Sequence, residues 1–255
     1  MTRRSAFTLI ELLVVLGVVA LLVGLLLPVL GSARAAARSA RCLSNARHLT
    51  LATLAYVQDF DGRLPCHSYP APTGRVWWFG FEPGGPGGGL NRPLETERGP
   101  LAPYFGGDLP AALACPDFPA DDPGFVTKFA RSSAHYGYNG GLVWPFPTGA
   151  AARRLSEVPA ASATFLFADA VHRDGAPGFY EPHSLAFRRP GKLAGTGHFR
   201  HPGETLNAAW LDGHAAARER PDATPVWETI ADAPAANLDV DDGPDSVYGF
   251  RTWTF

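Results

Sequence analysis

The run "AFTLIELLVVLGVVALLVGLLLP", residues 6–28, constrains this chain more than any other stretch. From Leu12 to Leu30 no side chain is charged or strongly polar, and only Gly17, Gly24 and Pro28 interrupt the large apolar residues. At about 1.5 Å rise per residue, a helix of this length crosses a hydrocarbon core of roughly 30 Å. Pro28 would break a helix in water but is tolerated as a kink in a membrane helix. Glu11 is the anomaly, because a carboxylate removed from water is costly unless a partner meets it. A cleavable secretory signal peptide is one reading: Arg3 and Arg4 precede the apolar run, and "LLPVLGSARAAA" offers a cleavage region. A signal sequence, however, has a shorter apolar core and no use for an acid near its start.

With 255 residues, the chain can hold such an anchor and one medium domain with its own core. Its apolar excess is concentrated before residue 31, and the remainder is rich in Gly, Pro and aromatics, as in a loop-rich globular domain. A net charge of −2 carries no signature of nucleic-acid binding. Three cysteines (Cys42, Cys66, Cys115) allow at most one internal bridge, and the lack of any CxxC pair removes thioredoxin chemistry and most zinc-ribbon readings.

Beyond Pro28, "GSARAAARSARCLSNARHLTLATLAYVQDFDG" is rich in helix formers. Leu43, Ala46, Leu49 or Thr50, Thr53, Leu54 and Val57 recur at helical spacing, and Asp61-Gly62 supplies a stop. One helix from about Phe7 to about Phe60 is therefore expected, roughly 80 Å long, its second half lying against the domain. "RVWWFGF" (75–81) and "ATFLFADA" (163–170) read as strands, and residues 205–218 read as a hairpin around Asp212-Gly213. The expected class is α+β: a long N-terminal transmembrane-plus-soluble helix packed on a C-terminal antiparallel sheet. The glycine-proline loop "EPGGPGGGL" (82–90) does not precede a helix and is not read as a phosphate cradle.

The string "FTLIELLVV" after a short basic leader resembles type IV prepilins and type II secretion pseudopilins. The resemblance implies that a prepilin peptidase cuts between Ala6 and Phe7, that Phe7 is then N-methylated, and that Glu11 becomes the fifth residue of the mature chain. The family usually has Gly before the cut, where this chain has Ala6. In a filament, Glu11 of one subunit would pair with the Phe7 amine of a neighbour and set the assembly register. "CLSNARHLTLATLAYVQDFDGRLP" (42–65), "CPD" (115–117), "HYGYNGG" (135–141) and "RHPGETLNAAWLDGHAAA" (200–217) resemble a subgroup found in Planctomycetes and Verrucomicrobia. Its mark is His, nine residues, then Asp-Gly; here ten residues separate His201 from Asp212-Gly213. The implied organisation is a leader at 1–6, a transmembrane half-helix at 7–30, a soluble half at 31–61, and a β-rich domain at 62–255 with the motif near 201–213.

The resemblance further implies a structural, non-enzymatic subunit. Its partners would be the peptidase/methyltransferase, other pilin or pseudopilin subunits and the inner membrane. It would be a single-pass protein, with its N-terminus cytoplasmic before processing and its domain periplasmic, later joining a pseudopilus or pilus. Arg34, Arg38, Arg41 and Arg47 follow the apolar run and favour the opposite orientation under the positive-inside rule. In an oxidising compartment one disulfide is expected, Cys66–Cys115, with Cys42 set aside because it lies in the helix. No cofactor is required. Four acids, Asp239, Asp241, Asp242 and Asp245, crowd a Gly-Pro turn near the C-terminus and would suit calcium, as in some major pseudopilins; a solvated acidic loop is the alternative. Asp169, His172, His201, Asp212 and His214 could converge on a metal, although no HExxH, GxSxG or paired-cysteine spacing accompanies them. The simpler expectation is that Asp212 shapes the turn and His201 bonds nearby backbone. The alternative function is a membrane-anchored carbohydrate-binding or hydrolytic domain using Trp77, Trp78, Trp144 and Trp210 as a stacking surface.

Overall fold

A computed structural model describes residues 8–85, 89–106, 109–130, 133–143, 153–158, 160–172, 182, 184–185, 196–220, 226–230 and 233–236. Ala6, Phe7, Trp144, Asp239, Asp241, Asp242 and Asp245 lie outside these residues.

Helix α1 runs from Leu9 to Asp59, about 77 Å at helical rise, and passes through Pro28 without ending. Thr8 caps it: its hydroxyl accepts from the Glu11 N–H, and the Glu11 carboxylate accepts from the Thr8 N–H at 2.8 Å. "TLIE" is therefore a capping box, which satisfies donors that the first turn otherwise leaves open. The helix stops where expected, with Asp61 and Gly62 both at positive φ and the Gly62 N–H bonded to the Val57 carbonyl at 2.8 Å.

The two halves of α1 meet different surroundings. Residues 9–34 are exposed on every side. From Cys42 onward one stripe is buried, comprising Cys42, Ala46, Leu49, Thr50, Ala52, Thr53 and Val57. This is the stripe read from spacing, except that Leu43 and Leu54 are half-buried at its margin and Cys42 opens it.

Beyond the helix, β1 (Ser68–Ala71), β2 (Gly74–Trp77) and β3 (Gly80–Pro83) form a three-stranded antiparallel meander. The single strand expected over 75–81 is thus two strands. The chain turns at Trp78-Phe79, and Gly80 after the turn lies against another segment: a Cβ there would come within 2.9 Å of Leu94 and 3.2 Å of the Glu95 carbonyl. Both turn aromatics are buried.

The main sheet is built on β5 (Phe165–Val171), whose seven residues are all buried. It pairs antiparallel with β4 (Tyr136–Asn139), β7 (Thr196–His198) and β8 (Thr205–Trp210). The hairpin partner of β8 is β9 (Ala215–Glu219). The sheet continues through β10 (Val226–Ile230) and β11 (Ala233–Ala236), and β6 (Ser184–Leu185) adds the one parallel pairing among the described strands. Alternate residues of β5 and β8 serve two cores. Phe167, Val171, Ala209 and Leu211 join the core shared with α1, and Ala168, Ala170, Leu206, Ala208 and Trp210 join a second cluster. In the first core Tyr138 stacks on Phe167 at 4.9 Å and Trp78 packs on both rings. The architecture is α+β, as expected.

Candidate functional site

Between α1 and the helix-facing side of the sheet lies a buried polar cluster assembled from four distant segments. The alternation that sends Phe167 and Val171 toward α1 sends Asp169 there as well. One of its oxygens accepts from Arg200 at 2.6 Å; the other faces His201 Nε2 at 2.9 Å and accepts from the Asn207 N–H at 2.7 Å. The Arg200 guanidinium also donates to the carbonyls of His135 (2.7 Å) and Ala170 (3.1 Å). On its other side, His201 Nδ1 stands 3.0 Å from Asp117, which Arg38 of α1 also reaches. The His201 ring thus bridges two carboxylates, one at each ring nitrogen.

Burial alone would raise the proton affinity of Asp169. Arg200, His201 and the Asn207 N–H outweigh it and hold the carboxyl below its usual range. His135 behaves oppositely. Burial and the nearby Arg200 charge push its pKa down to about 3, while its Nδ1 accepts from the Cys115 N–H at 3.0 Å and its ring stacks on Phe118.

The cluster also ties the helix to the domain. Asn207 donates to the Ser39 carbonyl at 3.0 Å, and Asn45 donates to the carbonyls of Ala111 (3.2 Å) and Ala114 (2.8 Å). That second contact lays the segment after α2 (Leu109–Leu113) along α1 and brings the Cys115 Cα to 5.0 Å from that of Cys42, where the two form a disulfide. The expected Cys66–Cys115 bridge is therefore corrected. A helical position does not exclude Cys42, because its side chain opens the buried face of α1 and meets the packed segment directly. Cys66 follows Pro65, whose carbonyl accepts from Tyr138, and lies outside the bridge.

The other sequence-level candidates separate into two places. Asp169 and His201 meet in the cluster. Asp212 and His214 instead pair with each other at the β8–β9 turn, where the carboxylate also accepts from the His214 N–H at 3.0 Å. His172 lies near His67, whose pKa falls to about 4 through burial, with the Arg75 and His172 charges adding to the effect. The five residues thus do not form one metal centre. Asp212 shapes the turn as expected; the His201 side chain bonds carboxylates rather than backbone. Gly213 adopts a φ of +91°, and a Cβ there would touch Leu51 and Leu54 of α1 at 3.5 and 3.8 Å. Arg47 donates to its carbonyl at 3.3 Å. Asp-Gly is therefore where the hairpin meets the helix. Of the four tryptophans read as a stacking surface, Trp78 and Trp210 are 0% and 2% exposed and so not available for stacking, while Trp77 is half-buried.

Asp117, His135, Arg200 and Asn207, which gather with Cys42 in the cluster, carry no motif chemistry of their own in the sequence. Each nevertheless falls in one of the four quoted segments, 42–65, 115–117, 135–141 and 200–217, and the cluster is where those segments converge. Residues 1–27 match the family model of the prokaryotic N-terminal methylation motif. No curated protein and no solved structure matches the chain. The motif supports a prepilin-type, pilin-like protein, and a helix apolar enough to span a membrane lies near the N-terminus.

Proposed function

We propose that the chain is a structural subunit of a type II secretion pseudopilus or type IV pilus-like filament. It would be cut by a prepilin peptidase between Ala6 and Phe7 and methylated on Phe7. The observation that carries this reading is the methylation motif at 1–27 on a helix whose residues 9–34 are exposed all round. The apolar part of that surface, Leu12 to Leu30, is about 29 Å long and has no place in water. It needs lipid first, then the equivalent helices of neighbouring subunits. Both contacts of Glu11 with Thr8 use one oxygen, Oε2, leaving Oε1 to meet the Phe7 amine of a neighbour.

The buried cluster then has a mechanical role. It joins the soluble half of α1 to the sheet through a disulfide, an ion-pair network and the Asp212-Gly213 contact, so the domain follows the helix as one body. A disulfide suits a domain on the oxidising, periplasmic side. Arg38 and Arg47 engage Asp117 and Gly213, so two of the four arginines that argued for the reverse orientation have structural work in the domain. The test is mass spectrometry of the mature N-terminus together with filament assembly by Glu11→Ala. Methylated Phe7 and membrane-inserted but poorly assembled Glu11→Ala are expected. An intact Met1, or a cut beyond Pro28, overturns the reading.

A further inference from the structure

We infer that the Cys42–Cys115 pair, when reduced, forms a three-residue zinc site with His201; this rests on the buried cluster and not on the assembly reading. Both sulfurs and a His201 ring nitrogen lie within 4.8 Å of one another, and all three residues are buried. His201 Nε2 stands 3.9 Å from Cys115 Sγ and 2.9 Å from Asp169 Oδ2. One nitrogen therefore faces both a sulfur and a carboxylate oxygen. Ligands of a tetrahedral zinc with bonds of about 2.0–2.3 Å lie roughly 3.5 Å apart. The two sulfurs and the His201 nitrogen thus need small shifts once the sulfurs are released from each other.

The surroundings match those of a zinc ligand set. The far nitrogen of His201 points at Asp117, 3.0 Å away, which would fix the tautomer that leaves Nε2 to the metal. Two thiolates carry two negative charges, which a divalent ion balances, while the neighbouring Asp169 carboxylate is already met by the Arg200 guanidinium. Mixed sulfur and nitrogen donors favour zinc over softer copper(I), and over calcium or magnesium.

Opening the site needs a reductant. With a phosphine, phosphorus gains the oxygen of one water, the S–S bond breaks, and the two hydrogens of that water protonate the sulfurs. Zinc binding then displaces both thiol protons.

The experiment uses the full chain in detergent micelles, oxidised or phosphine-reduced, incubated with Zn²⁺ or Co²⁺, desalted and analysed for metal. The reduced chain is expected to retain one more zinc than the oxidised chain and to show thiolate-to-cobalt charge-transfer absorption. Cys66→Ser should keep both properties. His201→Gln should weaken retention at least tenfold. Equal zinc in the oxidised and reduced wild type, or loss of the extra zinc in Cys66→Ser, overturns the proposal. The wild-type comparison stands even if His201→Gln fails to fold.

Discussion

Replacing Asp169 by Asn tests whether the buried cluster holds the helix and sheet together. Asn retains the shape and one acceptor, so the Asn207 N–H keeps a partner. What disappears is the negative charge facing Arg200 at 2.6 Å and His201 at 2.9 Å, both buried. Removing one member of a buried ion pair costs about 3–5 kcal/mol, because the remaining charge is left uncompensated. For a chain of this size, about 3 kcal/mol corresponds to a fall of roughly 6–12 °C in melting temperature. The assay is thermal and urea unfolding of the full chain in detergent, followed by tryptophan fluorescence, since Trp78 and Trp210 are buried in the domain. The pH dependence adds a second arm. The folded carboxyl titrates below its ordinary value, so its contribution is complete above about pH 4 and is lost as pH falls through the lower folded value. The gap between wild type and Asp169→Asn should therefore narrow in strong acid. A variant within about 1 kcal/mol of wild type at neutral pH, the range of an ordinary substitution, or a gap indifferent to acid, would refute the reasoning.

Three further outcomes are expected. His67 and His135 titrate near 4 and 3 in the folded chain, below the ordinary 6.5, so folding favours their neutral forms; as pH falls from about 6.5 toward 4, each should remove about 1.4 kcal/mol of stability per pH unit, read from urea midpoints between pH 7 and 5. Non-reduced peptide mapping should join Cys42 to Cys115. At a sequence separation of 73, Cys115→Ser should cost about 4 kcal/mol on the loop-entropy model, and Cys66→Ser less. The calcium site proposed at Asp239, Asp241, Asp242 and Asp245 predicts a higher melting temperature with millimolar calcium than with magnesium or chelator; identical melting in all three would leave a plain acidic loop.

Local information determined the long helix, its end and its two characters. An unbroken apolar run, a three- and four-residue stripe and an Asp-Gly stop act within a few residues of one another, so spacing alone reveals them. The capping box at Thr8 and Glu11 was equally local, although the acid's role in assembly drew attention first. The strand over 163–170 and the hairpin at Asp212-Gly213 were legible for the same reason. The division of 75–81 into two strands was not, because the pairings that define β2 and β3 and the packing of Leu94 and Glu95 on Gly80 involve residues outside that run. Nor was the disulfide: helical periodicity puts Cys42 on the buried face, but only packing of the segment around Ala111 and Ala114 decides which cysteine it meets. His201 illustrates the limit most clearly. Its partners Asp117 and Asp169 lie 84 and 32 positions away by sequence number. A charge–charge contact leaves no periodic trace, so tertiary structure alone could turn four separate motifs into one buried network.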